Sequence, residues 1–138
     1  MNRKEFQALA TLRLREARVL LRAKEYSGAY YLVGYAVECG LKACVAKSVR
    51  KHDFYPNRKT IEKAYSHNLT DLLALANLEQ ERAITAQSDP AFAANWDLTA
   101  RWSEASRYTT WNETDCRELM NAIMKKNHGV MPWLKKRW

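Results

Sequence analysis

AYYLVGYAVECGLKACVAKSV, residues 29–49, is apolar on nearly every side, and only Glu38 and Lys42 interrupt it before Lys47. It reads as a helix, and a helix that is apolar all round belongs in the middle of a bundle. Glu38 and Lys42 stand four residues apart, one turn apart on one face. Ionised groups in such a place are costly unless paired and hydrogen-bonded. Either the two neutralise each other, in the favourable order with Glu N-terminal to Lys, or Glu38 orients a cation or a histidine from a later helix.

Working outward, the rest of the chain is also helical in character. Proline and glycine are scarce, with three and four copies, and no hairpin dipeptide such as Asn-Gly occurs. A first helix is expected from Arg3 to about Ala23, with a core face of Phe6, Leu9, Ala10, Ala17, Leu20 and Leu21. Ser27 and Gly28 open the central helix, which is expected to end near Val49. Gly34 and Gly40 inside it each cost about 1 kcal/mol relative to alanine, a cost offset by close approach of a neighbour. Residues 50–59 read as a polar loop around Pro56, and 60–66 as a turn or short helix. Asp71 opens an apolar run, and Ser88-Asp89-Pro90 is a helix start with a capping carboxylate. Residues 101–108 are a loop or a broken helix. Asn112 caps a last long helix from Glu113 to about Asn127, stopped by Gly129, and an amphipathic tail follows. The fold class is therefore all-α: four or five helices in one antiparallel bundle, a single domain over 1–138.

Composition narrows the function classes. Charged residues are 28% and apolar ones 47%, a globular balance. No segment approaches the roughly 20 apolar residues of a membrane helix, and the start lacks the apolar region of a secretory signal. Cys39, Cys44 and Cys116 cannot all pair within one chain. Cys39 and Cys44 point about 140° apart on a helix. They read as reduced core thiols of a cytoplasmic protein, with no Cys/His spacing for a metal and no cofactor motif.

The net charge of +8 is unevenly spread. Residues 1–60 carry thirteen Lys/Arg against five Asp/Glu, residues 61–124 five against ten, and residues 125–138 five and none. One basic and one acidic surface are expected, the basic one suited to RNA or a nucleotide-bearing partner. Arg15, Arg18 and Arg22 recur at helical spacing as one stripe. Arg50, Lys51, Arg58 and Lys59 gather around Pro56. Arg101 and the pair Arg107-Tyr108 lie in the Trp-rich segment. As phosphate contacts these would bind with strong salt dependence; as solvated faces they have no partner. Trp96, Trp102 and Trp111 read as core or seam rather than base-stacking platforms.

Tyr26-x-x-Ala29-Tyr30-Tyr31-x-x-Gly34-Tyr35-Ala36-x-Glu38-x-x-Leu41-Lys42-Ala43 resembles the second-helix signature of prokaryotic HEPN domains. His67-x-Leu69-x-x-Leu72, Trp102-x-x-x-x-Arg107-Tyr108 and Gly129-Val130-Met131-Pro132-Trp133-Leu134 are similar to later blocks of that family. The resemblance implies a four- to five-helix bundle that forms homodimers. It also implies a place in a toxin–antitoxin module or antiviral defence system, with a nucleotidyltransferase antitoxin or another defence protein as partner. Many HEPN proteins are metal-independent ribonucleases with an Arg, four to six residues, then His. Here the intervals are one residue from Arg50 to His52, eight from Arg58 to His67, and ten from Arg117 to His128. The standard motif is absent. The expectation is thus a module that binds RNA or a nucleotide-bearing partner. The alternatives are a ribonuclease using Glu38, Lys42, His67 and Arg107 as its catalytic set, and a structural adaptor for a larger enzyme.

Overall fold

Asn2 begins the first helix with a reciprocal cap: its side chain accepts the Glu5 N–H, and the Glu5 carboxylate accepts the Asn2 N–H. The computed structural model describes residues 1–52 and 58–138, and of Arg50, Lys51, His52 and Thr60 only the backbone. The described residues form eight α-helices: α1 (Arg3–Arg22), α2 (Tyr26–His52), α3 (Arg58–Ala64), α4 (Leu69–Leu75), α5 (Glu79–Ser88), α6 (Pro90–Ala100), α7 (Glu113–Met124) and α8 (Val130–Lys135). One 3-10 turn (Glu104–Tyr108) joins α6 to α7. The all-α bundle expected from the sequence is there, divided into more and shorter rods.

The reading of α2 as the innermost rod holds. It packs against α1, α4, α7, α8 and the 3-10 turn. Ala29, Val33, Ala36, Val37, Leu41 and Ala43 are fully buried. Both internal glycines admit a neighbour. The Trp102 indole lies directly against Gly34, and Leu134, Trp138 and Met131 close over Gly40. The helix does not stop near Val49 but runs on to His52, so Arg50 and Lys51 belong to its last turn. The part of the polar loop between His52 and Arg58 lies outside the described residues.

The connectivity is not purely antiparallel. His67 meets Glu38, and Asn77 meets Ser48, both across 29 residues of sequence. Two contacts of equal separation at the two ends of α4 make it run parallel to α2. Asn68 caps α4 through the Asp71 N–H, and the apolar run that looked continuous breaks at Ala76–Leu78. Asn77 turns the chain there in the left-handed region, φ 58, which asparagine tolerates better than most residues.

α5 had no signal in the sequence, because it buries no residue fully. Tertiary contacts hold it: Arg137 pairs with Glu81 at 2.7 Å, and the Trp133 indole N–H donates to Thr85 at 3.1 Å. Asn112 caps α7 as expected, through the Asp115 N–H. Gly129, however, does not stop α7. That helix ends at Met124, where Lys125 turns to extended backbone, and Gly129 opens α8. The tail that follows closes the core: Val130, Met131, Trp133 and Leu134 are buried. The Arg3 guanidinium anchors its end on the Trp138 carbonyl at 2.5 Å.

Asp89 caps α6 through the Phe92 N–H and bonds His128 at 2.8 Å. The His128 imidazole first, and then the Phe92 N–H, hold its carboxyl below the ordinary range. A folded value below the unfolded one gives stability that is present above the unfolded value. That stability is lost as pH falls through the folded value. The gap in stability between the native chain and Asp89→Asn should therefore shrink on acidification from about pH 5 to about pH 2. Urea unfolding at each pH checks this, and a gap that widens in acid would show that the clamp does not need the carboxylate.

Candidate functional site

Glu38 sits in the fourth turn of α2 and is 1% exposed. Its Oε1 accepts from Lys42 Nζ at 2.9 Å and from His67 Nδ1 at 2.9 Å. The two sequence readings of this glutamate are thus both realised. It forms the intrahelical ion pair, and it also orients a histidine from the segment leading into α4. Its Oε2 is buried and meets no donor among the described residues.

His67 is held at its root by the fold and open at its tip. Leu69, two residues on, is buried and pins the start of α4 to the core, while the His67 side chain remains 45% exposed. Because Nδ1 donates to the buried carboxylate, Nε2 is the nitrogen turned outward. It stands 3.3 Å from Glu104 Oε2, at the start of the 3-10 turn, a pairing that forms a hydrogen bond only when Nε2 also carries a proton. Glu104 is the member of this cluster that sequence reasoning missed. A single carboxylate in a Trp- and Arg-rich stretch has no periodicity to mark it, and only the docking of the 3-10 turn on α2 brings it near.

A tyrosine-lined surface continues from the cluster along α2. Tyr31, Tyr35 and Glu38 follow at helical spacing. Tyr31 and Tyr35 have parallel rings 6.1 Å apart, and Trp102 stacks on Tyr31 at 5.9 Å. Arg107 is exposed; its guanidinium lies 4.9 Å from the Tyr108 ring centre, with Tyr31 nearby. The neighbouring Tyr108 first, and then Tyr31, favour the charged guanidinium and push its pKa up further. The structure therefore unites Glu38, Lys42 and His67. Arg107 stands on the same 3-10 turn as Glu104, but its contacts are to tyrosines. Tyr108 is 79% exposed.

The remaining basic candidates divide by exposure and pairing. Arg15, Arg18 and Arg22 are exposed along α1 and make no ion pair among the described residues. Arg58 is paired with Glu62 at 3.0 Å. Lys59 and Arg101 are exposed. The side chains of Arg50 and Lys51 lie outside the described residues. Trp96 and Trp102 are buried, and Trp111 is stacked on Tyr30 with centroids 3.8 Å apart. Their faces are occupied, as the core reading requires.

The cysteines are free and buried. Burial pushes the Cys39 and Cys44 thiols each up to about 11 and also raises Cys116. At neutral pH such thiols are protonated and make poor nucleophiles. No cluster of three or more His, Cys, Asp or Glu suited to a metal occurs among the described residues. No helix there is long and apolar enough to cross a membrane.

Fold and site together define a small all-α protein with a buried carboxylate steering a half-exposed imidazole. No family model, no curated protein and no solved structure matches the chain.

Proposed function

We propose that this chain is a HEPN-like module of a prokaryotic toxin–antitoxin or defence system that binds RNA or a nucleotide-bearing partner. One observation carries the reading: a fully buried glutamate is committed to orienting an exposed histidine. Burying a carboxylate is costly, and a merely structural role on α2 is met at lower cost by an apolar side chain. An imidazole whose inner nitrogen is held by a carboxylate, leaving the other turned to an accessible surface, is an arrangement suited to binding and proton transfer. His67, Arg107 and Tyr108 offer a hydrogen-bond donor, a fixed cation and an exposed ring, the groups that single-stranded RNA engages. The unpaired α1 stripe adds phosphate contacts along a second line.

Fluorescence anisotropy with a labelled single-stranded RNA tests it. Binding should weaken steeply with salt. Replacing Arg15, Arg18 and Arg22 together by glutamine should flatten the log–log salt slope by about 2. His67→Ala should weaken binding about tenfold, the loss of one charge-assisted hydrogen bond. An RNA that fails to bind at low ionic strength removes the reading. A stable complex with a neighbouring gene's product and no RNA contact would replace it with the adaptor.

The same pair favours a second reading, metal-independent RNA cleavage. With Nδ1 tied to Glu38, Nε2 is placed to take the proton of a 2′-hydroxyl. The 2′-oxygen then attacks the adjacent phosphorus and the 5′-oxygen leaves with a proton, which the Lys42 ammonium would supply. Arg107 would stabilise the phosphorane oxygens. Cleavage in excess chelator, lost in both His67→Ala and Arg107→Ala, separates this from binding alone.

A further inference from the structure

A polar concavity lies between the late turns of α2, the α4–α5 turn and the end of α8. We propose that it is a binding site for a small phosphate ester, independent of the RNA reading. It encloses about 490 Å³, within the range of small-molecule sites. Its floor is apolar: Cys44, Ala76 and Leu78 line it and are buried. The Cys44 thiol is neutral at physiological pH, so the floor carries no charge.

The rim is basic and pre-organised. Lys47, Lys136 and Arg137 stand around it against the single carboxylate of Glu81. Arg137 is fixed on three sides. Its Nε donates to Glu81 at 2.7 Å, its Nη1 donates to the Trp133 carbonyl at 2.9 Å, and its guanidinium lies 4.1 Å from the Trp133 ring centre. Nη2 makes no hydrogen bond among the described residues, leaving two N–H groups for a ligand. Lys47 donates one of its three N–H groups to the Arg137 carbonyl at 2.9 Å, which holds the ammonium at the rim with two to spare. Lys136 is exposed. The Ser48 hydroxyl, which accepts from Asn77 at 3.0 Å, keeps its own proton for another acceptor.

These features choose the ligand. Donors come from two separate elements, Lys47 and Ser48 on α2 and Lys136 and Arg137 at the end of α8, and line one groove, which suits a tetrahedral anion with several acceptor oxygens better than a planar carboxylate. The lining carries three positive charges against one negative, matching the near-double charge of a phosphate monoester. An apolar floor takes the organic body of the ester. Along α2 the groove residues Cys44, Lys47 and Ser48 stand six to ten residues from Glu38, about 9 to 15 Å at the helical rise, so either site can fail without the other.

Amide spectra of the full chain, titrated with inorganic phosphate and with ribose 5-phosphate, provide the test. Both should shift one connected set at Lys47, Ser48, Asn77, Leu78 and Arg137, the ester binding more tightly. Lys136→Ala, at an exposed position that leaves the fold intact, should weaken the ester about tenfold. Glu81→Gln should strengthen it about threefold by removing the competing charge. A 5′-phosphorylated RNA that shifts the set where its 5′-hydroxyl twin does not would identify an RNA end as the source. Shifts by ribose 5-phosphate alone would identify a free metabolite. Absence of the set with both phosphate probes at tens of millimolar overturns the proposal. Equal shifts with chloride also overturn it, since the surface would then be only diffusely basic.

Discussion

Gly34→Ala will destabilise the protein by about 2 kcal/mol. A β-carbon at residue 34 would overlap Cδ1, Nε1 and Cε2 of Trp102. That ring is 2% exposed and stacked on Tyr31, so it cannot swing aside without disturbing the packing of α2 against the 3-10 turn. Overpacking of a rigid site costs about 3 kcal/mol, and the helix propensity gained from alanine returns about 1. The melting temperature should fall by about 8 °C. Gly40→Ala is the matched control. Its β-carbon would meet Leu134 Cδ1 at 3.3 Å, Trp138 Cε3 at 3.6 Å and Met131 Cε at 3.8 Å. The tightest of these is the end of a flexible side chain, so propensity decides and stability should hold or rise slightly. Thermal unfolding followed by circular dichroism reads both. A Gly34→Ala protein melting no lower than the native one would mean that Trp102 does not rest on α2.

Glu38→Ala has the larger expected cost, about 3 kcal/mol. Removing one partner from a buried pair leaves the other charge uncompensated, a loss of about 3–5 kcal/mol. The Lys42 side chain is 16% exposed and can extend toward water, which places this case at the lower end. The double substitution Glu38→Met with Lys42→Met should recover most of that stability, because an apolar pair of similar volume needs no desolvation. It should not recover RNA binding, because His67 then has no acceptor to orient it. Urea unfolding and RNA anisotropy on the same three proteins separate the roles. Full RNA affinity in the stable double variant would show that Glu38 is structural only.

Much of the core was legible before any coordinates. The apolar residues of α2 outnumber what one face can hold, so the helix had to be surrounded, and its glycines had to admit neighbours. Asn68, Asp89 and Asn112 mark helix starts through local chemistry that needs no tertiary information; the sequence reading identified the last two as caps. The helix ends were less legible. Gly129 resembles a stop, yet α7 ends five residues earlier, because helix ends depend on what the departing chain packs against. α5 escaped notice because it buries too little of itself to leave a periodic trace.

The site divides along the same line. Glu38 and Lys42 are one turn apart on a single helix, so their pairing follows from the helical repeat and from nothing else. His67 is 29 residues from Glu38 and Glu104 is 66 away, and no local periodicity reaches that far. Their meeting required α4 to lie parallel to α2 and the 3-10 turn to dock beside it. Helix formation is governed by interactions within a few residues, whereas the juxtaposition of helices is governed by the burial of whole faces at once. The amino-acid order alone determined an all-α protein around one apolar rod bearing an acid–base couple. Tertiary packing alone decided that the acid would also hold an imidazole, and that the basic end of the chain would frame a groove.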